Sequence, residues 1–168
     1  ALGGDDDGRM EVAGIATFGA VVTVGFGQAR RRSMDDMKVW LITGASRGMG
    51  TEFASAALEA GHAVVATGRR TTDVTDALGA SDRLCVVTLD VTSQNDADAA
   101  VATAVDRFGR IDVVVNSAGA SFKGYFEEMS AAQVEAQLAT NLLGPMNVTR
   151  AVLPQMRARR SGHVISIS

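Results

Sequence analysis

Three short runs hold the residues whose types and spacing could do chemistry. Thr43-Gly44-Ala45-Ser46-Arg47-Gly48-Met49-Gly50 is entered from the apolar stretch Val39-Trp40-Leu41-Ile42. It reads as a buried strand, a glycine-rich turn and the start of a helix, which is a place to seat a pyrophosphate. Lacking a Cβ, Gly44 makes the tight turn and Gly48 admits a ligand close to the backbone. Gly50 allows the helix to pack tightly on the strand. The first helical turn carries unpaired N–H groups and the positive end of a dipole, so an anion binds there readily. The other two runs, Asp90-Val91 and Asn116-Ser117-Ala118-Gly119, each close a further apolar stretch. Asn141 adds a polar amide in mid-helix, where an apolar stripe gives it no local reason to be.

Charge bears on which nucleotide the loop would hold. An acidic residue about twenty positions past such a loop takes the ribose hydroxyls of NAD. Here the second strand ends Thr67-Gly68-Arg69-Arg70, with no carboxylate to repel a 2′-phosphate. Arg47 brings another positive charge from inside the loop. Charge-assisted bonds from Arg to phosphate are worth about 1.5–3 kcal/mol each when well made. These residues favour NADP(H) over NAD(H). The bland alternative makes Arg70 a solvated surface residue and leaves the discrimination to Arg47 and Arg69.

The positioning elements follow from periodicity. Lys38 to Thr43, Ala63 to Thr67, Leu84 to Leu89, Asp112 to Val115 and His163 to Ile167 read as strands. Helices fall between them. The first, Met49 to Ala60, places Met49, Phe53, Ala56, Ala57 and Ala60 on one face and stops at Gly61. A short one runs from Asp73 to Leu78. Ser93 caps a third, which ends at Gly109. Ser130 caps a long one to about Arg157, with Val134, Leu138 and Leu142 on one stripe and a kink at Gly144-Pro145. Strands apolar throughout, with helices between, predict an α/β fold with a doubly wound, Rossmann-like parallel sheet. The expected strand order is 3-2-1-4-5, with the ligand where the winding reverses.

Composition narrows the class. The chain has 168 residues, about one domain, with a net charge of −3. No basic excess argues for nucleic acid. Cys85, the sole cysteine, sits in the apolar run Leu84-Cys85-Val86-Val87, as a small buried hydrophobe does. His62 and His163 are isolated and read as structural, so no metal site is expected. A lone cysteine fits a reducing compartment, and the expected location is cytoplasmic.

The runs, taken in order, resemble the short-chain dehydrogenase/reductase family. Thr-Gly-x-x-x-Gly-x-Gly matches its cofactor loop, and Asn116-Ser117-Ala118-Gly119 its Asn-Asn-Ala-Gly, with Ser117 in place of the second Asn. Asp90-Val91, Asn141 and Gly162 to Ser168 fall in the family's order. The resemblance covers Met37 to Ser168. It implies an oxidoreductase that moves a hydride between NADP(H) and a carbonyl or alcohol. Gly44, Ser46, Arg47, Gly48, Met49, Gly50 and Arg69 would hold the phosphates and 2′-phosphate. Asp90 would take the adenine amino group and Val91 the ring, although Asp90 also reads as a cap for the turn that follows. Asn116, Ala118 and Gly119 would lie beside the nicotinamide ribose, with Asn116 bracing the neighbouring strand through its amide. Asn141 matches the catalytic relay Asn. A basic residue at the position of Arg47 and another after strand two go with NADP in this family. Members commonly assemble through paired helices, so a homodimer or homotetramer is implied at full length.

The same resemblance exposes a gap. The family's acid/base is a Tyr with a Lys four residues on, but the sole Tyr, Tyr125, is followed by Met129 at that spacing. Phe122, Tyr125 and Phe126 read either as a lining loop at the substrate mouth or as a packed loop. Ser168 aligns with the first of the family's Ser-Ser pair, or is the catalytic Ser if the register differs. Residues 37–168 are therefore expected to be a cofactor-binding fragment, inactive alone. The alternatives are a non-catalytic NADP(H)-binding module and a non-functional truncated product. Residues 1–36 read as a flexible or non-native leader, ahead of a membrane anchor over Val12 to Ala29 or an added strand or helix.

Overall fold

Every second residue of the central strands faces one of two helical layers, and that alternation builds two cores. The computed structural model describes residues 37–167; the readings of residues 1–36 and of Ser168 lie outside the described residues. The strands are β1 (Val39–Ile42), β2 (Ala63–Gly68), β3 (Leu84–Thr88), β4 (Val113–Asn116) and β5 (His163–Ser166). They form one sheet in the order β3-β2-β1-β4-β5. All pairings are parallel, with Leu41 set between Val65 and Val114. This is the expected doubly wound order. β2 is buried at every position, which is why it reads as an unbroken apolar run.

The helices are α1 (Met49–Glu59), α2 (Thr71–Leu78), α3 (Gln94–Phe108), α4 (Ala131–Leu138) and α5 (Gly144–Arg159). Val39, Leu41, Val65 and Val114 meet Ala100, Ala104, Val148, Val152 and Met156 of α3 and α5 on one face. Ile42, Val64, Ala66 and Val115 meet Ala54, Ala57 and Val74 of α1 and α2 on the other. The winding reverses between β1 and β4, which opens a crevice at their carboxyl ends.

Two helices differ from expectation. The buried stripe of α1 is Gly50, Ala54 and Ala57, whereas Met49 is 58% exposed and Ala56 and Ala60 face solvent. Small residues take the inner face because the helix lies close to the sheet. The long helix is not continuous: a π-helical turn, Ala139–Leu143, joins α4 to α5. Pro145 has no N–H for the carbonyl of Asn141, and its ring crowds that carbonyl, so the turn widens ahead of the proline. α4 packs on this widened turn rather than on the sheet. Leu138 and Leu142 are therefore exposed, not core.

Charge closes the amino end of the sheet. Asp112 Oδ2 accepts from the Val39 N–H at 2.8 Å and from Arg110 Nε at 2.9 Å, while Oδ1 accepts from Arg159. Arg110 continues to the Met37 carbonyl at 2.7 Å and Arg159 to the Ile111 carbonyl at 3.0 Å. Burial pushes the Asp112 carboxyl up, but the Val39 N–H and the two guanidinium groups hold it below the usual carboxylate range.

Candidate functional site

The glycine loop sits at the carboxyl end of β1 and is held by contacts that exclude side chains. Gly44 has φ +69°, and a Cβ there would lie 2.8 Å from the Cα of Ala118. It serves the turn and also a close approach to the segment after β4. A Cβ on Gly50 would strike the carbonyl oxygen of Gly44, so Gly50 packs α1 on the loop itself. Gly48 is different: φ is +60°, and an added Cβ meets nothing within 4 Å. Crowding thus explains Gly44 and Gly50, while Gly48 opens onto free space. The loop is tied to β2 by the Ala45 N–H, which donates to the Thr67 carbonyl at 2.9 Å, and to α1 by Thr51 Oγ1, which donates to the Ala45 carbonyl at 3.0 Å. Ser46 lies beside Gly68, and Arg47, Gly48 and Met49 form an exposed lip.

The turn after β4 is fastened to the same loop. Thr43 Oγ1 accepts from the N–H groups of Ser117 and Ala118, both at 3.0 Å. Asn116 is buried; its Nδ2 reaches Thr149 Oγ1 at 3.4 Å and Ser166 Oγ at 3.5 Å, so it does span to β5 and to α5. These are long bonds, and Oδ1 of the same amide is buried with no partner among the described residues. Asn141 stands over the turn. Its Oδ1 accepts from the Ala120 N–H and its Nδ2 donates to the Ala120 carbonyl, each at 2.8 Å. The π-helical turn thereby clamps the segment that follows Gly119.

The third run closes β3. Asp90 Oδ1 accepts from Thr92 Oγ1 at 2.7 Å and from the Thr92 N–H at 2.9 Å. The Thr92 hydroxyl foremost, then its N–H, with Arg69 adding a weaker pull, hold the Asp90 carboxyl below its ordinary value. Both bonds fall on one oxygen, and Oδ2 has no partner among the described residues. Asp90 therefore caps its own turn and still presents an acceptor. The side chain of Val91 packs into the core against Gly144, where a Cβ would lie 2.7 Å from Val91 Cγ2. What Val91 offers a ligand is its main chain. Its carbonyl accepts from Asn147 Nδ2 at 3.0 Å.

The arginines separate. Arg70 pairs with Asp73 at 2.6 Å with its side chain 77% exposed, which accounts for it as a surface residue. Arg47 and Arg69 are exposed and form no ion pair among the described residues. Phe122, Tyr125 and Phe126 are exposed, so they do not form a packed loop. Thr43 belongs to the glycine run, and its hydroxyl adds a bond to the turn after β4 that the motif does not announce. Two residues with evident work here, Thr92 and Asn147, lie outside the motifs; Thr92 directly follows Asp90-Val91, which is a usable signal. Asn147 lies 56 residues from its partner, and nothing local marks it. Among the described residues there is no cluster able to hold a metal ion, and no helix is long and apolar enough to cross a membrane.

Comparison with known proteins gives the same picture from another direction. Residues 38–168 match the family model described as short chain dehydrogenase. Oxidoreductase BOA17 of Botryotinia fuckeliana is 41% identical over 133 residues, covering 78% of this chain and 48% of that protein. A solved short-chain dehydrogenase from Streptomyces avermitilis superposes with a TM-score of 0.76 at 43% identity, covering 81% of this chain and 50% of that one. The 3-ketoacyl-(acyl-carrier-protein) reductase of Brucella melitensis, solved with NADH, gives a TM-score of 0.73 at 28% identity, covering 77% and 56%. The chain spans about half the length of the curated relatives it matches.

Proposed function

The chain belongs to the short-chain dehydrogenase family, and from that premise we propose that it is the nucleotide-holding part of an oxidoreductase acting on a carbonyl or alcohol with NADP(H). The observation that carries this reading is the pair of exposed guanidinium groups, Arg47 and Arg69, which form no ion pair among the described residues, at the mouth of a glycine loop with an open side at Gly48. The residues fit the cofactor. Gly44, Ser46, Gly48, Met49 and Gly50 form the pyrophosphate cradle. Arg47 and Arg69 meet the 2′-phosphate, for which Arg forms strong paired bonds. Asp90, through Oδ2, would accept from the adenine amino group, and the Val91 main chain would border the ring. Asn116, Ala118 and Gly119 border the nicotinamide ribose. The bound cofactor supplies or accepts the hydride.

The chain's own part in the chemistry is narrower. Both functional atoms of the Asn141 side chain are taken by Ala120, so the side chain serves as a clamp. The group it contributes to a proton relay is its main-chain carbonyl, for which Pro145 has no N–H. An acid/base is still needed for the substrate oxygen, and Tyr125 lacks a Lys partner four residues on. The 168 residues alone therefore bind cofactor and turn over little or nothing. The family resemblance favours a small-molecule substrate and, at full length, a homodimer or homotetramer, and the lone cysteine fits a cytoplasmic setting.

Titration of the chain with NADPH and with NADH, followed by nicotinamide fluorescence, tests the reading. Saturable binding with NADPH the tighter ligand is expected. No binding of either, or tighter binding of NADH, overturns it.

A further inference from the structure

The Asp90-Val91-Thr92 turn is held from two sides, and only one of them is local. Thr92 takes both of its bonds to a single oxygen of Asp90, which fixes the plane of that carboxylate. The other side is supplied by α5. Asn147 donates through Nδ2 to the Val91 carbonyl at 3.0 Å, and Gly144, one turn earlier, leaves room for the Val91 side chain. Asn147 is itself fixed. Its carbonyl accepts from Gln94 at the start of α3, and Arg150 bridges the Gln94 and Asn147 side-chain oxygens at 2.9 and 3.3 Å. The helix that continues from the π-helical turn of Asn141 thus grips the opposite, Asp90 end of the crevice.

We propose that Asn147 is a positioning residue for the adenosine half of the cofactor, acting through the Val91 main chain. This rests on the assignment of Asp90-Val91 to adenine made above. The peptide of Val91 and Thr92 is shared. Its carbonyl is held by Asn147, and its N–H is the one that Thr92 gives to Asp90. Releasing the carbonyl lets that peptide rotate, which moves the Asp90 carboxylate and the Val91 main chain together. A residue that merely stabilised α5 would act on both halves of the site alike.

Asn147→Leu keeps the helix and removes the amide. Binding of 2′,5′-ADP, which carries only the adenosine half, is measured beside binding of reduced nicotinamide mononucleotide, which carries only the other. Losing one hydrogen bond to a positioned group predicts 2′,5′-ADP binding weaker by about three- to tenfold, with the mononucleotide unchanged. If Asn147→Leu does not fold, Asn147→Ser, whose hydroxyl is too short to reach the Val91 carbonyl, carries the same expectation. Asp90→Ala separates the two levels of the argument. Weaker 2′,5′-ADP binding in Asp90→Ala but not in the Asn147 variant overturns the role of Asn147 alone. Unchanged binding in both overturns the adenine assignment and this proposal with it. Equal loss of both ligands in the Asn147 variant makes Asn147 a structural residue only.

Discussion

At the amino end of the sheet, β1 and β4 are joined by charge; at the carboxyl end the same two strands are joined without any. Below, Asp112 takes the Val39 N–H, Arg110 and Arg159, and the charges of these three side chains are used within the fold. Above, Thr43 holds the turn after β4 through neutral bonds, and Gly44 and Ala118 meet backbone to backbone. Arg47 and Arg69 stand at that end without ion pairs among the described residues. One end uses its charges within the fold, and the other is built from glycine, threonine and main chain, with Arg47 and Arg69 outside any ion pair among the described residues.

Substitutions should pull the two ends apart. The largest effect is expected at Gly50. A Cβ there meets the Gly44 backbone, which cannot move aside, so Gly50→Ala should cost about 3 kcal/mol in chemical denaturation and abolish nucleotide binding. Gly48→Ala, with open space around it, should cost only about 1 kcal/mol for its positive φ. Equal losses at the two glycines would show that the loop is not packed as described.

Asp112→Ala should cost less than Gly50→Ala, about 1–2 kcal/mol, because it removes the Val39 N–H bond while Arg110 and Arg159 stay partly exposed and keep their main-chain acceptors. It should leave 2′,5′-ADP affinity unchanged. The acid dependence has a definite sign. Asp112 is held below its unfolded value of about 3.9, so its contribution is present above that value and lost as pH falls through the lower folded one. Asp90 acts in the same direction. Asp112→Asn should therefore shrink, not remove, the acid slope of stability in a pH series of denaturant melts.

Arg47→Ala with Arg69→Ala should do the reverse: stability within about 0.5 kcal/mol of the parent, and a large loss of NADPH affinity. Arg70→Ala is expected to change either quantity least, since exposed ion pairs contribute about 0.2–1 kcal/mol. Loss of NADPH discrimination in Arg70→Ala would put the wrong arginine at the site.

How much of this was legible in the chain depended on the range of the interaction. Strand order and the glycine loop follow from local patterns, apolar runs and glycine spacing, and these the sequence displays. On the inner face of α1, Phe53 and Ala57 meet the core as expected, but Gly50 and Ala54 take the places that Met49, Ala56 and Ala60 would fill, because the loop demands the smaller residue inside. The break at Asn141 was expected at Gly144-Pro145; proline acts on the carbonyl four residues back, so the distortion precedes it. Arg69 and Arg70 look alike in sequence and differ because Asp73 lies one helical turn on from Arg70, while Arg69 stands near Asp90. Asn147, like the Asp112 network, depends on elements that folding brings together, and no local spacing announces it.

The most direct test of the division between the two ends is the ratio of NADH to NADPH dissociation constants, measured for the parent chain and for Arg47→Ala/Arg69→Ala. Two Arg–phosphate interactions predict a parent ratio of at least about tenfold that falls to about one in the double variant. A ratio that is the same in both proteins would contradict the proposal that Arg47 and Arg69 read the 2′-phosphate.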